Sequence, residues 1–444
     1  MTMTPASGPD RPDRPDAASG HQARLRLSQL LKRPVADRTG ESLGRLADVI
    51  VRLRGTDYPL FTGLVAAVGR REVFVPAEQV SDLEGDPLVL SSAKLDLRRF
   101  ERRDGEVLLR ADVLGHRLID VANARLVRAA DLELARDGDG WALAGVDTRH
   151  HPRRLLGLLG PEEEPDDARF RDWHDFEWLI GHTGSALLRS PLARIRRLKP
   201  AQIADLLEEA SREEETEILG RVHDDPELEA DVFEELDEDL AIRLLGARTD
   251  AEIAAVLARM RADDAADAVA ELPQQRRQPV LDLLPPGQRT KVLTLLGFNR
   301  TSAGGLMGVD YVTVPTTATV GDALAAVRAA QTLQPEVLTS VHALDSDGGL
   351  RGVAWLTALV QADPARLVID VCDTDPVRVG ADADVMDVAV LMTDYNLITI
   401  PVVDAERKLL GVITVDDILE VTLPDDWRRR EAAEPPDARH GEAT

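Results

Sequence analysis

Two aspartates, Asp263 and Asp267, are the residues whose type and spacing most directly indicate chemistry. They are four residues apart in a segment with helical periodicity, so their Cβ atoms are expected about 5–6 Å apart on one face, where like charges disfavour a helix. A divalent cation reverses that penalty, and magnesium is commonly held by one or two carboxylates with retained waters. Acidic pairs at this spacing also occur on solvated helices, so a plain exposed face is the alternative.

The charge balance agrees with a cationic partner. The 444 residues carry a formal net charge of -26. Half of that excess lies between residues 201 and 300, which contain 24 acidic and 11 basic side chains. Such a surface repels nucleic acid and anionic lipid. We therefore predict no nucleic-acid partner and no direct membrane insertion.

Several other functional classes lack their signatures. No segment has the apolar pattern of a secretory signal, and no run approaches the about 20 apolar residues of a spanning helix. The single cysteine, Cys372, excludes a disulfide framework and a Cys-rich zinc site, as expected in a reducing cytoplasm. There is no phosphate-binding glycine loop, nucleophile elbow or histidine set beside a nucleophile. We predict a soluble, cytoplasmic protein that is not an enzyme and has no catalytic residues.

The acidic pair lies in a run of short helical repeats. Four nine-residue segments, which begin at residues 202, 228, 252 and 264, each place alanine third and apolar residues on one helix face. Short helices of this kind bury their apolar faces by stacking on neighbours. The pattern predicts an α-helical superhelix, or solenoid, over residues 193–298.

Residues 23–160 read mainly as strands and turns, with a weak internal repeat in which Asp48 and Asp131 each precede a β-rich run. Gly40, Leu43, Gly44 and Asp48 resemble the PRC-barrel family of small six-stranded barrels. That resemblance implies tandem small β-barrels with a docking role. The glycines are also ordinary turn residues, whatever the barrels do.

The remaining segments are two tails and a linker. Residues 1–22 and 425–444 are rich in Pro, Asp and Arg and are predicted to be disordered tails. Between residues 161 and 192, an acidic stretch precedes Phe170, Trp173 and Phe176, whose spacing approximates a helix. We predict an acidic and aromatic linker helix there, packed through its aromatic side chains.

Residues 302–307, SAGGLM, strongly resemble the junction at which the helical N domain of MgtE magnesium transporters passes into a pair of CBS domains. Two strand-helix-strand-strand-helix patterns follow over residues 299–424, as a CBS pair requires. The resemblance implies an acidic helical domain and a CBS pair that dimerise and bind magnesium between them. The predicted fold class is therefore multidomain α+β: tandem small β-barrels, then an α-helical superhelix, then an α/β CBS pair.

Carried over residue by residue, the MgtE resemblance implies a metal site. The implied ligands are Asp263, Asp267, Asp384, Asp417 and Glu420. Two further ligand positions of the family hold Met386 and Asn396 instead of carboxylates, so the resemblance implies fewer ions or weaker binding.

CBS modules commonly bind adenine nucleotides through a Gly-x-x-Thr/Ser-x-x-Asp motif. The second copy has Gly411, Thr414 and Asp417, whereas the first has Trp355 and Ala358 at the later positions. The resemblance therefore implies at most one site, for ATP or another adenine nucleotide. A strand-to-helix turn with a capping threonine is the alternative.

The leading hypothesis from the sequence is a magnesium-sensing regulatory protein in magnesium homeostasis, without a pore of its own. Metal between the helical domain and the CBS pair switches its conformation, and the output reaches a separate membrane transporter or channel, or another target. We expect a homodimer through the CBS pair. The alternative is a nucleotide-sensing CBS adaptor with no specific metal site.

Overall fold

The structure is a computed structural model, and it describes residues 23–55, 57–91, 102–103, 105–138, 140–149, 170–179 and 194–423. The chain divides into two units, residues 1–237 and residues 238–444. Both predicted tails lie outside the described residues. The predicted domain boundaries stay predictions.

The N-terminal part of the first unit is mainly β-structure. Its strands are β1 Arg24–Arg26, β2 Pro34–Ala36, β3 Ser42–Arg54, β4 Asp57–Val68, β5 Arg71–Pro76, β6 Val80–Asp82, β7 Leu88–Leu90, β8 Glu106–Leu108, β9 Arg117–Asp120, β10 Arg125–Arg128, β11 Asp131–Asp137, β12 Gly140–Asp147, β13 Arg171–Asp172 and β14 Phe176–Trp178. A short helix, α1, spans Leu27–Leu30, and a π-helical turn spans Leu109–Val113.

Strands from both halves of the predicted repeat, residues 23–91 and residues 102–149, join one sheet. Its order is β1-β11-β12-β4-β3-β2-β7-β6, with β5 on β4, β8 on β3 and β13 on β12, while β10-β9-β14 form a smaller sheet. Strand β1 of the first half pairs with β11 of the second, and β8 of the second half pairs with β3 of the first. The halves therefore exchange strands, and a division into two tandem barrels is not confirmed.

The two repeat aspartates have matching positions in this exchange. Asp48 accepts hydrogen bonds from the amides of Arg110 (2.7 Å) and Ala111 (3.0 Å) in the π-helical turn of the other half. Asp131 accepts from the amide of Ser28 (3.0 Å) in α1, again in the other half. Each carboxylate thus satisfies amide groups at the start of a short helical turn, and together they connect the two halves.

Two glycines of the barrel resemblance have a conformational reason. Gly40 has φ +86°, which L side chains rarely adopt. A Cβ atom on Gly44 would lie 2.3 Å from the carbonyl oxygen of Ala67 on the neighbouring strand β4. Both positions therefore require glycine for the local backbone, independently of any docking role.

The predicted linker helix is wrong where it can be checked. Residues 170–179 form β13, a 3₁₀ turn over Trp173–Asp175 and β14, which extend the two sheets of the first unit. Phe170, Trp173 and Phe176 are buried in this region. Their spacing of three fits a helix, but the intervening turn brings Trp173 and Phe176 into the sheet core instead. The rest of the linker lies outside the described residues.

The first unit ends with three helices, α2 Pro200–Glu209, α3 Arg212–Val222 and α4 Pro226–Glu234. Helix α3 begins with a capping box, in which the Ser211 hydroxyl accepts from the Glu214 amide and the Glu214 carboxylate accepts from the Ser211 amide. Proline at the first position of α2 and α4 favours helix starts there.

The second unit begins with five more helices: α5 Glu238–Gly246, α6 Asp250–Leu257, α7 Ala262–Glu271, α8 Gln274–Leu283 and α9 Pro286–Leu295. Alternate helices pack together, α5 on α7, α6 on α8 and α7 on α9. The alanines at the third repeat positions, Ala204, Ala230, Ala254 and Ala266, are all buried. The helical repeats are therefore confirmed, whereas a superhelical path is not.

The two strand-helix patterns after the junction form two matching three-stranded sheets. The first contains β15 Thr313–Pro315, β16 Ser340–Leu344 and β17 Leu350–Trp355, and the second β18 Val379–Gly380, β19 Thr399–Val403 and β20 Leu409–Thr414. In each sheet the first strand pair is parallel and the second antiparallel. The accompanying helices are α10 Ala303–Leu306, α11 Val320–Ala329, α12 Leu356–Gln361, α13 Val385–Tyr395 and α14 Val415–Thr422.

Candidate functional site

Helix α14 presents a buried carboxylate at its N-terminus. Thr414 caps the helix, because its hydroxyl accepts from the Asp417 amide and its own amide donates 2.8 Å to Oδ2 of Asp417. Asp417 is only 6% exposed. Burial raises its pKa to about 6, and the charge of Asp263 adds to that rise, whereas Thr414 and Arg261 oppose it.

Helix α7 carries the predicted acidic pair. Asp263 and Asp267 lie one turn apart, and the two alanines between them, Ala265 and Ala266, are buried. Partial burial raises the pKa of Asp267, Asp263 contributes to that rise, and Arg300 opposes it. The negative charge of Asp263 therefore acts on a carboxylate of α7 and on one of α14.

The guanidinium of Arg261 joins α7 to α14. Its Nε donates 2.7 Å to Asp264, and Nη1 donates 3.2 Å to Oδ1 of Asp417. Nη2 lies 3.9 Å from a carboxylate oxygen of Glu420, one turn further along α14. The structure therefore brings Asp417 and Glu420 together around an arginine.

A second arginine pairs with the other predicted ligand. Arg300 precedes the junction motif, and its Nε lies 2.7 Å from Oδ1 of Asp267. Its Nη1 donates 2.6 Å to Glu271 and 3.1 Å to Glu238. Neither arginine was predicted as a site residue. The three-residue spacing of Arg261 and Asp264 indicates an ion pair within one helical turn. No local pattern predicts that Arg261 also contacts a carboxylate 156 positions later.

Among the residues that the structure describes, Asp384 makes no hydrogen bond or ion pair with the carboxylates and arginines of α7 and α14. Its carboxylate caps α13 by accepting from the Met386 amide at 2.8 Å. Asn396 ends the same helix in a left-handed conformation, with φ 52°. The family positions occupied by Met386 and Asn396 thus lie at the two ends of α13, and within the described part of the chain no hydrogen bond or ion pair links Asp384 to α7 or α14.

The donor set suits a hard cation in its chemistry, since carboxylate oxygens are the ligands that magnesium prefers. Among the described residues, however, no group of three or more His, Cys, Asp and Glu side chains is disposed to hold a metal ion. Two guanidinium groups take the carboxylates of Asp267, Asp417 and Glu420 instead. Within the described residues, the Asp263 carboxylate has neither a hydrogen bond nor an ion pair.

The three residues of the nucleotide motif have structural partners. A Cβ atom on Gly411 would lie 2.6 Å from the Met307 side chain and 2.8 Å from the Gly308 carbonyl oxygen. Thr414 and Asp417 form the capping box of α14. The strand-to-helix turn expected as the alternative is therefore present, and nucleotide binding stays a prediction.

The junction glycines are required by close backbone packing. A Cβ atom on Gly304 would lie 2.7 Å from the Phe298 ring, and one on Gly305 would lie 2.3 Å from the Asn299 carbonyl oxygen. The Gly304 amide also donates 2.7 Å to the carbonyl of Ala381, just before α13. The motif thus attaches the end of the helical run, which we define as helices α5–α9 of the second unit, to the second strand-helix copy.

Comparisons with known proteins agree with this architecture. Residues 198–301 match the family model of the MgtE intracellular N domain, and residues 368–423 match that of the CBS domain. The chain is 36% identical over 187 residues to the magnesium transporter MgtE of Thermus thermophilus, and 30% identical over 131 residues to MgtE of Enterococcus faecalis. These alignments cover 41% and 30% of this chain.

Two solved structures resemble the same region. The soluble part of a magnesium transporter matches 56% of this chain with 24% identity and a TM-score of 0.49, over 94% of its own length. The cytosolic domain of the Mg2+ channel MgtE in complex with ATP matches 53% with 30% identity and the same TM-score, over 97% of its own length. The family-model matches and the curated relatives show that the chain resembles the intracellular region of MgtE transporters, with a helical N domain and a CBS domain.

The resemblance covers part of each transporter. The chain spans about two-fifths of the length of the Thermus thermophilus protein and 29% of the Enterococcus faecalis protein. In the part of the chain that the structure describes, no helix is long and apolar enough to cross a membrane.

Proposed function

We propose that this chain is a magnesium-responsive regulatory protein, in which a cation between α7 and α14 controls how closely the helical run and the CBS pair associate. The observation that carries this proposal is the contact of Arg261, at the start of α7, with buried Asp417 on α14, where the charge of Asp263 also acts to raise the pKa of Asp417. Facing carboxylates from two elements repel each other unless a positive charge lies with them.

The residues proposed to hold magnesium are Asp263, Asp267, Asp417 and Glu420, although their carboxylates are not gathered around one position in this structure. The ion would supply positive charge to this group, and any ligand that binds the associated form more tightly stabilises it by mass action. Asp384, which caps α13, would not take part in the same group. The proposal therefore narrows the five predicted ligands to four.

The regulated target is proposed to be a separate membrane transporter or channel, or another protein in magnesium homeostasis, that binds the N-terminal sheet. A homodimer through the CBS pair is part of the proposal. It is supported by exposed apolar side chains on α13 and α14: Met386, Val390, Leu419 and Val421 are each 44–59% exposed. Such a set is unusual on a monomer surface and is typical of an interface.

The proposal is tested by calorimetric unfolding of the full chain over 0–10 mM magnesium. An upward shift of the second unit's transition is expected. The shift should be lost in Asp263→Asn/Asp267→Asn and retained in Asp282→Asn, a control on α8 whose carboxylate pairs with Arg289. Equal shifts in all three proteins would contradict it. Sedimentation velocity on the same samples tests the dimer.

A nucleotide-sensing adaptor is the second candidate, because the Gly411, Thr414 and Asp417 turn is present. The burial of Asp417 and the engagement of both of its oxygens count against it. Titration calorimetry with ATP and AMP separates the candidates. Binding that depends on Asp417 and not on Asp263 or Asp267 would favour the adaptor.

A further inference from the structure

Arg261 has a position that a mobile cation could otherwise fill. It directly precedes α7, and its side chain is 24% exposed. Each of its three guanidinium nitrogens is directed to a different carboxylate, those of Asp264, Asp417 and Glu420. A planar fork of donors is the side-chain geometry best suited to neutralise several carboxylates at once.

The contact is more than a surface ion pair. Asp417 is 93% shielded at its side chain, and its other oxygen already accepts from the Thr414 amide. If Arg261 were removed, Oδ1 of Asp417 would lose the guanidinium N–H that it accepts, while Asp263 would still repel it. A buried carboxylate that loses its partner destabilises a fold far more than an exposed one does.

We infer that Arg261 is a tethered cation, which closes the contact between α7 and α14 without metal and competes with magnesium for Asp417 and Glu420. The competition rests on the proposed function, whereas the closure does not. The chain then associates its helical run with the CBS pair at low magnesium, and a higher magnesium concentration is needed to change that contact. Loss of carboxylate ligands would only weaken magnesium binding. Arg261 differs, because it already supplies the positive charge that magnesium would otherwise supply.

Arg300 strengthens the inference because it repeats the arrangement on the other side of α7. It pairs with Asp267, Glu271 and Glu238, although its own side chain is 41% exposed. Among the four carboxylates proposed for magnesium, three therefore have an arginine partner. Asp263 is the remaining one, and its charge raises the pKa of both Asp267 and Asp417.

The test is calorimetric unfolding of the full chain in EDTA and in 10 mM magnesium, with hydrogen exchange of α14 measured on the same samples. We expect Arg261→Gln to lower the second unit's midpoint in EDTA by about 5–10 °C, as breaking a buried pair in a domain of this size does. Its α14 amides should exchange faster. Magnesium should restore more of the midpoint in Arg261→Gln than it adds to the wild type.

Three further variants make the result specific. Arg259→Gln removes the same charge from an exposed arginine two residues earlier and should leave the midpoint unchanged. Arg261→Lys keeps the charge but not the fork, and should recover part of the loss. In the Asp417→Asn background, Arg261→Gln should lower the midpoint far less, because the charge it neutralises is gone.

The outcomes separate this inference from the proposed function. An Arg261→Gln midpoint in EDTA equal to that of the wild type and Arg259→Gln would overturn the tethered cation, even if magnesium stabilised every protein. A midpoint lowered in EDTA, with no magnesium response in any protein, would support the closure by Arg261 and show that the proposed magnesium function, and with it the competition, is wrong.

Discussion

Asp48 in the N-terminal sheet and Asp417 in the second unit are about equally buried, at 5% and 6% exposure, but different groups stabilise their carboxylates. Asp48 accepts from three backbone amides, two of them in the opposite half of the repeat. Asp417 accepts from one backbone amide and from one guanidinium. Burial raises the pKa of both carboxyls to about 6.

The difference concerns which partner can leave. An amide cannot move away from Asp48 unless the π-helical turn itself unfolds, so this carboxylate is a permanent part of the sheet. The Arg261 side chain can rotate away from Asp417 while both helices persist, so its positive charge can be exchanged for another. A buried acid whose cation is exchangeable suits a switch, and one held by amides suits a scaffold.

Removing the Asp48 carboxylate should have the largest effect on stability. In Asp48→Ala, three amide donors lose their acceptor, and we expect a loss of about 3–4 kcal/mol, since each unsatisfied buried donor costs about 1–3 kcal/mol and two of these three hydrogen bonds are only partly buried. Denaturant-dependent hydrogen exchange of β3 measures it. The matched variant is Asp131→Ala, whose bonds to Ser28 are exposed, with an expected loss of about 1 kcal/mol. Equal losses would mean that burial does not distinguish the two repeats.

The pH dependence of the first unit should reveal the same carboxyl. The folded-state pKa of Asp48, about 6, is above its ordinary value of 3.8. The contribution of Asp48 to the free energy of unfolding is therefore fully present below pH 3.8. It is lost as the pH rises through 6, by about 3 kcal/mol in total. In Asp48→Asn this loss should disappear from exchange-derived stabilities of β3 between pH 4 and pH 7.

An opposite pH effect elsewhere in the unit serves as the internal reference. Hydrogen bonds from His174 and Tyr58 outweigh burial and lower the pKa of Asp172 to about 2. Its stabilisation is present above pH 3.8 and is lost as the pH falls through 2, outside the Asp48 window. An unchanged slope between pH 4 and pH 7 in Asp48→Asn would contradict the assignment.

Much of the fold could be predicted because its signals are local. The third-position alanines predicted buried helix contacts, and the strand-helix order of the CBS pair follows from alternating apolar runs and turns. The aromatic spacing at residues 170–176 misled because it fits both a helix and two strands joined by a turn. Strand exchange between the repeat halves depends on pairs such as β1 with β11, more than 100 residues apart, and no local pattern encodes it.

The candidate site likewise contains residues that could be predicted from the sequence and residues that could not. The Asp263 and Asp267 pair could be predicted because four residues make one helical turn, and resemblance added Asp417 and Glu420. The arginines could not be predicted, because whether Arg261 contacts solvent or α14 depends on how two distant helices pack. Only the structure could therefore show that the carboxylates contact Arg261 and Arg300.

Gly411→Ala separates packing from ligand binding at the nucleotide motif. A methyl group there would overlap the Met307 side chain, so we expect a loss of about 2 kcal/mol in the second unit without any nucleotide. Urea denaturation measures it. The control is Gly287→Ala in α9, where a Cβ atom meets nothing within 4 Å and should stabilise by about 0.5–1 kcal/mol. A neutral Gly411→Ala that loses only ATP binding would favour the nucleotide adaptor.

Arg300→Gln should have the smallest effect and sharpens the comparison within the pair of arginines. Its partners Asp267 and Glu271 are 44% and 37% exposed, so their ion pairs are hydrated and contribute about 0.5–1 kcal/mol together. We expect that loss in urea denaturation at low salt and its near disappearance at 0.5 M sodium chloride, where the screening length is only about 4 Å. The loss in Arg261→Gln should persist at high salt, because Asp417 is shielded from the screening ions. If both variants lost the same stability and responded equally to salt, burial of Asp417 would not be what makes Arg261 the effective cation.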